Sequence, residues 1–436
     1  MELPEKTLVQ ADYILTWNEN FEIISPGEIV IEDSIITYLG ARQERPMENF
    51  TRIIVGEDSL VMPGLVNTHT HAAMTLFRGY ADDMPLMEWL EKKIWPVEAR
   101  LRKEDIYWGT LLAVCEMIKG GTTCFADMYF HMDEVARACQ ESGIRASLAQ
   151  GLIGVDKIKG MAGLRESKSL VHNWHKKGDG RITIMLGPHA PYTCPPAYLQ
   201  MVMEMAEQLS VPIHIHLAET RGEVAECLKV YGQTPVSLVN DLGLLEYNVL
   251  AAHCVHLTPG EIDLLAEKKV AVAHNPGSNL KLGSGVAPVI ELLKKNALVA
   301  LGTDGAASNN NLDMVEEMRL SALLQKGLSE DATAIPAHMA LKMATLNGSE
   351  ALFPDEEVGT LRKGSKADLI IMQLKNPHLF PLHNLLAQIV YSAGAADVDL
   401  VMVNGRVLME KRRLLTIDEE RVLFEGQKRA LRLVKD

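Results

Sequence analysis

The spacing of apolar residues changes twice along the chain, and each change marks a different kind of structure. In the first sixty residues, short runs rich in Val, Ile and Tyr are separated by turn-forming residues such as Asn18, Pro26 and Gly40, a pattern typical of strands. From about residue 60, short apolar runs alternate with longer stretches of helical spacing. The last seventy residues return to strand-like runs around the turn signal Asn404-Gly405.

The middle region predicts eight strands with helices between them, which indicates an α/β fold with a (β/α)8 barrel of the TIM type. The predicted barrel strands are 61–66, 122–127, 146–150, 183–187, 213–217, 249–253, 270–274 and 298–303. The strand-like ends predict a small β-sandwich domain formed by both termini. We therefore divide the chain into three segments: 1–60 and 366–436 as the two parts of the β domain, and 61–365 as the barrel.

Composition and charge narrow the classes of partner. The formal net charge of -14 disfavours binding to nucleic acid phosphates and to anionic lipid, so we expect neither nucleic acid nor a membrane as partner. The six cysteines include no C-x-x-C pair, which favours free thiols in a reducing compartment. The first residues lack the features of a signal peptide, and no apolar run reaches about 18 residues. We expect a cytoplasmic protein that acts on a small molecule, and we leave a homo-oligomer open.

The strongest chemical signal is the run 63–71, PGLVNTHTH, directly after the first predicted barrel strand. Its histidines, His69 and His71, stand two residues apart, so on an extended segment both imidazoles point to the same side. Active sites of such barrels lie at the carboxyl ends of the strands. Taken alone, an H-x-H pair is more often two loop histidines, because short motifs occur frequently by chance.

Three further predicted strands favour a metal site over two loop histidines, because each of them ends in a polar residue: His216, His253 and Asp304. Burying four polar strand ends in one barrel would be costly without a partner such as a metal ion. We predict His69, His71, His216 and Asp304 as metal ligands and place His253 beside them as a base or oxyanion stabiliser. Three imidazoles and one carboxylate suit one zinc ion per subunit; iron or another divalent metal also fits.

A carboxylate follows the third predicted ligand. Glu219 lies three residues after His216, so it sits beside the metal without binding it and is placed to move protons. The alternative is a glutamate that only stabilises a helix N-terminus. We expect His189, at the end of the fourth strand, to face the substrate and His214 to pack behind the ligands. The Gly-rich stretch 277–285 lacks Gly-Lys-Ser/Thr, so we interpret it as a flexible loop above the barrel.

Together, these motifs resemble the amidohydrolase superfamily over nearly the whole chain. A narrower likeness is to the 5-methylthioadenosine/S-adenosylhomocysteine deaminases. It rests on MTLFRG at 74–79, LMEWL at 86–90, IWPVE at 94–98, GPHAPY at 187–192 and HNPGSNLKL at 274–282.

The resemblance implies roles that the residues alone would not assign. Glu98 would bind the ribose hydroxyls, Trp89 would line the nucleoside pocket, and His189 would contact the substrate. From the pattern alone, Glu98 resembles a solvated helix carboxylate and Trp89 a core or interface aromatic. One departure is Gln150, which stands where such deaminases often carry an arginine, and a missing guanidinium would weaken binding of a charged tail.

The implied reaction is hydrolytic deamination of 5'-methylthioadenosine and S-adenosylhomocysteine, and also of adenosine or 5'-deoxyadenosine, to the inosine analogue and ammonia. Glu219, His253 and Asp304 would be the catalytic residues, and Glu219 and Asp304 would also contact the substrate. Two alternatives stay open. One is another reaction on the same metal site, such as deamination of guanine or a pterin or dechlorination of a triazine. The other is a barrel without catalytic activity.

Overall fold

The described structure, a computed structural model covering residues 5–17, 21–354 and 358–435, contains nineteen strands in three sheets. Asn18, predicted in a turn, lies outside the described residues. In chain order the strands are β1 Lys6–Ala11, β2 Tyr13–Trp17, β3 Phe21–Ile24, β4 Gly27–Glu32, β5 Ile35–Ala41, β6 Arg52–Val55, β7 Ser59–Pro63, β8 Leu65–Thr70, β9 Thr122–Tyr129, β10 Arg145–Leu152, β11 Ile182–Pro188, β12 Ile213–Leu217, β13 Val249–His253, β14 Ala271–His274, β15 Leu298–Leu301, β16 Leu369–Gln373, β17 Val398–Val403, β18 Arg406–Glu410 and β19 Arg413–Leu414.

Strands β8 to β15 form the predicted barrel. They are parallel and follow one another in chain order around a single sheet. Its two edges meet where the Thr68 hydroxyl donates to the Leu301 carbonyl at 2.8 Å and the Asp304 amide donates to the His69 carbonyl at 2.9 Å. Nearly every residue of these strands is buried, as expected for a sheet covered on both faces. The eight-stranded barrel is confirmed.

Sixteen α-helices in the described ranges connect and cover the strands. They are α1 Leu86–Trp89, α2 Trp95–Glu98, α3 Lys103–Lys119, α4 Met132–Ser142, α5 Lys157–Trp174, α6 Pro196–Leu209, α7 Arg221–Tyr231, α8 Pro235–Asp241, α9 Pro259–Glu267, α10 Pro276–Lys281, α11 Val289–Lys294, α12 Met314–Ser329, α13 Ala337–Ala344, α14 Leu346–Leu352, α15 Leu385–Tyr391 and α16 Glu419–Val434. Short polar side chains start several of them: Asp156 accepts from two amides at the start of α5, and Asp313 does so at α12. These caps fix where each strand-to-helix turn ends.

Both termini contribute to the β domain. One sheet has the strand order β5-β4-β1-β6, and the other has the order β19-β18-β17-β16-β7-β2-β3, so β7 and β16 from opposite ends of the chain are neighbours. An apolar cluster that includes Ile14, Ile29 and Leu369 fills the space between the sheets. The predicted limit at 60/61 falls inside β7. The division of the chain into 1–60, 61–365 and 366–436 stays a prediction.

Two local predictions were wrong. The predicted strand 61–66 is two strands, β7 in the β domain and β8 in the barrel, joined at Gly64. A Cβ at Gly64 would lie 2.1 Å from the Thr123 side chain, so only glycine lets the chain cross so close to β9. The stretch 277–285 is not a flexible loop throughout, because α10 occupies Pro276–Lys281 with a proline in its first turn.

The barrel and the β domain are joined by a buried ion pair. In β10, Arg145 donates from Nε to Asp368 Oδ2 at 2.7 Å and from Nη2 to Oδ1 at 3.1 Å. Both side chains are only 1% exposed. Asp368 also accepts the Asn404 amide at 2.7 Å, which fixes the hairpin between β17 and β18.

Replacing Arg145 with Met should therefore lower the free energy of unfolding by about 3–5 kcal/mol, because it leaves the Asp368 carboxylate buried without its cation. The measurement is urea unfolding followed by circular dichroism. The control is Arg52→Met, which removes the 2.8 Å pair with Glu410, where the side chains are 33% and 37% exposed. Loss of that pair should cost no more than about 1 kcal/mol. Equal losses in the two variants would contradict the assignment of Arg145 as an interdomain tie.

All six cysteines are buried and none forms a disulfide, in agreement with the predicted thiols. Among the helices of the described ranges, none combines the length and the apolar content needed to cross a membrane.

Candidate metal centre and active site

The four predicted ligands meet at the carboxyl end of the barrel. His69 lies in β8, His71 follows that strand directly, His216 lies in β12, and Asp304 follows β15. Asp304 Oδ1 is 3.5 Å from His69 Nε2 and 3.3 Å from His71 Nε2. The Nε2 atoms of His71 and His216 are 3.3 Å apart. Four ligand atoms from three strands thus surround one point.

The Nδ1 atom of each of the three histidines lies within hydrogen-bond distance of another group. Nδ1 of His71 is 2.6 Å from the Met128 carbonyl, and Nδ1 of His216 is 2.7 Å from the His189 carbonyl. Because a carbonyl only accepts, the proton sits on Nδ1 and the Nε2 lone pair faces the cluster. Nδ1 of His69 lies 2.9 Å from His214 Nε2, so His214 packs behind the ligands as predicted. Backbone and neighbouring side chains thus orient all three rings, as second partners of metal ligands do.

The cluster fits a divalent metal ion. His69 is fully buried, yet its Nε2 has no hydrogen-bond partner among the described residues. Burial lowers the pKa of His69 to about 4, so the ring is neutral and its lone pair is available. His69, His71 and His216 form one candidate ligand group, and His69, His253 and Asp304 form another that shares His69. A neutral imidazole trio with one carboxylate is a donor set that zinc and similar ions bind.

Asp304 is held in place by its own turn. Its φ is 62°, a left-handed conformation that places a short side chain over the barrel mouth. Oδ2 accepts the Ser278 hydroxyl at 2.6 Å, and Oδ1 accepts the Gly305 amide at 2.7 Å. Ser278 belongs to α10, so the helix that the sequence pattern misses carries a residue that orients a candidate ligand.

Glu219 lies beside the cluster. Its Oε2 is 3.8 Å from His253 Nε2, and its Oε1 accepts the Ser284 hydroxyl at 3.2 Å. Burial raises the pKa of Glu219 above its ordinary value, which favours the protonated form. The His253 ring is fixed by Asn279 Oδ1, 2.8 Å from Nδ1, so its Nε2 faces the cavity. A buried carboxyl group and an imidazole therefore stand together at the cluster.

A cavity of about 810 Å³, counted out to its open mouth, leads to these residues. Glu98, Trp89 and His189 all line it. Glu98 Oε1 accepts the Tyr129 hydroxyl at 2.6 Å, and burial raises the pKa of Glu98. The Trp89 indole donates to the Ala81 carbonyl at 3.0 Å, so its ring serves as an apolar wall. The candidate ligands His71, His216 and Asp304 line the same cavity as Glu219 and the three predicted substrate residues.

Comparison with known proteins supports the same interpretation. Residues 60–408 match the model of the amidohydrolase family. The chain belongs to the amidohydrolase family. A protein of Pelotomaculum thermopropionicum named 5-methylthioadenosine/S-adenosylhomocysteine deaminase is 54% identical over 98% of both chains. One of the same name from Moorella thermoacetica is 56% identical over 93% of this chain and 95% of its own. The predicted resemblance is confirmed.

A solved structure agrees over the same length. The crystal structure of an adenosine deaminase from Xanthomonas campestris with bound zinc superposes with a TM-score of 0.93 at 36% identity, covering 99% of each chain. The barrel with a terminal β domain is thus confirmed as the architecture of this amidohydrolase.

Gln150 does not reach the cavity of this amidohydrolase. Its Nε2 donates to Glu166 Oε2 at 3.1 Å, in a neighbouring surface depression that Lys159 also borders. The described residues that line the active-site cavity include neither lysine nor arginine. A negatively charged group bound in the cavity would therefore find no fixed positive side chain in its wall.

Sequence reasoning missed several residues that support the site: Ser278, Ser284, Asn279, Tyr129 and Glu223. Ser278, Asn279 and Ser284 stand in the stretch predicted to be a loop, where pattern alone assigns no role. Tyr129 ends β9 and was a visible signal, since barrel strand ends carry functional side chains. Glu223 follows Thr220 by three residues, a readable helix-start spacing.

Proposed function

We propose that this amidohydrolase deaminates adenosine-type nucleosides, 5'-methylthioadenosine and S-adenosylhomocysteine foremost, to the inosine analogue and ammonia. The observation that carries the proposal is the position of Glu219: a buried carboxyl group with a raised pKa next to a cluster of candidate metal ligands at the inner end of an apolar cavity. The names of the similar relatives point the same way. All four ligand residues are present, which disfavours a barrel without catalytic activity.

His69, His71, His216 and Asp304 would hold one divalent ion per subunit, and zinc is the metal we propose. The bound ion supplies Lewis acidity and lowers the pKa of a coordinated water toward neutrality. A second ion is not expected, because the strand Ile182–Pro188 carries no lysine that could bridge two metals.

The chain's own residues would handle the protons. Glu219 donates to the ring nitrogen beside the reacting carbon, which makes that carbon electrophilic. Asp304 and His253 also line the cavity. They accept one of the two protons of the attacking water and pass it to the leaving amine, and the second water proton returns to Glu219 as the carbonyl of the product forms. Burial lowers the pKa of His253, but the neighbouring Glu219 and Asp304 outweigh burial and raise it. A raised pKa suits a group that accepts a proton and then releases it.

The remaining cavity would orient the nucleoside. With the purine amino group at the inner end, the ribose lies toward the mouth, where Glu98 can accept hydrogen bonds from its hydroxyls. His189 contacts the purine edge, and burial lowers the pKa of His189 to about 4, which keeps its ring neutral. Trp89 would line the apolar side.

The test is loss of the adenine absorbance band and release of ammonia with 5'-methylthioadenosine, S-adenosylhomocysteine and adenosine in parallel. We expect turnover of the nucleosides, with kcat/KM for 5'-methylthioadenosine about 10–100-fold above that for S-adenosylhomocysteine. This ratio corresponds to one missing charge-assisted hydrogen bond, because Gln150 is paired with Glu166 and no cation lines the cavity. Metal-loaded protein that converts none of the three nucleosides would contradict the proposed function. Equal kcat/KM for the two sulfur nucleosides would contradict the predicted preference alone.

A further inference from the structure

Two helices of the barrel begin with the same spacing, a threonine at the N-cap and a glutamate three residues later, but the two glutamates bind different groups. At α9, Glu261 Oε2 accepts the Thr258 amide at 2.6 Å, while Thr258 Oγ1 accepts the Glu261 amide at 3.3 Å. This reciprocal pair is the ordinary capping box. At α7, Thr220 Oγ1 accepts the Glu223 amide at 3.1 Å, which is the first half of the same arrangement.

The second half differs, because the Glu223 carboxylate reaches past the N-cap. Its Oε2 accepts the Glu219 amide at 2.7 Å, and its Oε1 accepts the Ala218 amide at 3.1 Å. Glu223 is 8% exposed and is not among the residues that line the cavity. Both oxygens of the buried Glu223 carboxylate thus accept hydrogen bonds from backbone amides, one from Glu219 itself and one from Ala218, the residue before it.

The segment held in this way has an unfavourable backbone conformation. Ala218 has a φ of 52°, which a residue with a Cβ adopts only when its surroundings enforce it. The Ala218 carbonyl accepts hydrogen bonds from the amides of Val255 and His256 at 3.0 and 2.9 Å, so the turn is fixed by the segment after β13 on one side and by Glu223 on the other. The Glu219 side chain itself accepts a hydrogen bond from the Ser284 hydroxyl and lies 3.8 Å from His253 Nε2.

We propose that Glu223 is a positioning residue for Glu219: it holds the left-handed turn at Ala218 and thereby aims the Glu219 carboxyl group into the cavity. The inference rests on the proposed function, in which Glu219 transfers the proton. Because proton transfer requires hydrogen-bond contact, a shift of the Glu219 backbone by about 1 Å is enough to slow the reaction by about 100-fold.

Glu223→Gln is the first variant to measure. Glutamine keeps the shape but replaces one accepting oxygen with an NH2 group, which faces an amide donor and cannot bind it. We expect kcat to fall by about 10–100-fold, with KM within about threefold because Glu98, Trp89 and His189, which would bind the rest of the nucleoside, are untouched, and with unchanged metal content.

Glu261→Gln is the matched control, since it alters the same spacing at a similarly buried position (5% exposed) without contacting Glu219. It should lower the melting temperature about as much as Glu223→Gln and leave kcat unchanged. A double variant, Glu219→Gln with Glu223→Gln, should turn over no more slowly than Glu219→Gln alone, because Glu223 acts only through Glu219.

Hydrogen exchange gives a readout that does not depend on turnover. The amides of Ala218 and Glu219 should lose protection in Glu223→Gln and keep it in Glu261→Gln. Retained protection, an unchanged kcat, or additive losses in the double variant would each overturn the inference. If the wild-type protein deaminates no nucleoside, the proposed function fails, and exchange still decides whether Glu223 holds the turn.

Discussion

Glu219→Gln should lower kcat by about 10²–10⁴-fold while the protein keeps its metal and its fold. The carboxyl group is the acid that stands next to the ligand cluster and His253, and an amide has no proton of suitable acidity to give to the purine ring. Burial raises the pKa of Glu219 above its ordinary value, which favours the protonated form that a proton donor needs. The measurements are steady-state deamination of 5'-methylthioadenosine and metal content by atomic emission.

Glu226→Gln serves as the control for this variant. Glu226 lies in α7, only seven residues further along the chain, and its exposed carboxylate pairs with Lys229 at 3.1 Å. Losing such a surface pair should change neither kcat nor stability by a measurable amount. Full turnover in Glu219→Gln, with metal present, would remove Glu219 from the proton transfer and leave Asp304 and His253 as the remaining candidates.

The grouping of the candidate ligand residues could be predicted from the sequence because the barrel places strand ends at one rim. His216 and Asp304 each follow a short apolar run, and a polar residue in that position is expensive to bury without a partner. The pattern therefore predicted that side chains far apart in the chain would meet. In the structure the ligand atoms of His69, His71, His216 and Asp304 do meet around one point.

The failures occurred where a tertiary contact determines the local structure. Residues 61–66 form one continuous apolar run, and only the approach of Thr123 to Gly64 shows that the chain changes sheets there. The stretch 277–285 is rich in glycine and serine, yet α10 forms because Pro276 starts a helix and Ser278 binds Asp304. Neither contact is visible in periodicity.

Glu223, which the sequence analysis missed, shows the limit of a local motif. The spacing Thr220 to Glu223 predicts a helix start, and α7 does begin there. The same spacing at Thr258 and Glu261 gives the reciprocal capping box. The amides that Glu223 binds differ because of the turn after β12, where Ala218 has a positive φ. That turn is fixed by hydrogen bonds from the segment that follows β13. The same Thr-x-x-Glu spacing can therefore lead to hydrogen bonds with different backbone amides.

The second large effect expected is loss of the metal ion on replacing His216. His216 Nδ1 is fixed by the His189 carbonyl, so Nε2 is the only nitrogen available to a metal, and asparagine is too short to reach the same point. We expect His216→Asn to lower metal affinity by more than the 10–100-fold typical of replacing an outer partner of a ligand. Deamination per mole of protein should fall with it. Metal affinity is measured by competition with a chromophoric chelator, and turnover is measured at the lowest metal concentration that saturates the wild-type protein.

Two other buried histidines provide graded controls for this experiment. His214 contacts His69 at 2.9 Å without belonging to either candidate ligand group, so His214→Gln should lower metal affinity by about 10–100-fold. His274 is buried, and neither of its ring nitrogens has a hydrogen-bond partner in the described part of the chain, so His274→Asn should leave metal affinity unchanged. A loss of metal affinity that decreases in the order His216, His214, His274 would distinguish a metal ligand from a residue that orients a ligand and from a residue that is only buried. A His216→Asn protein that binds metal as tightly as the His274→Asn protein would show that the ion is held elsewhere.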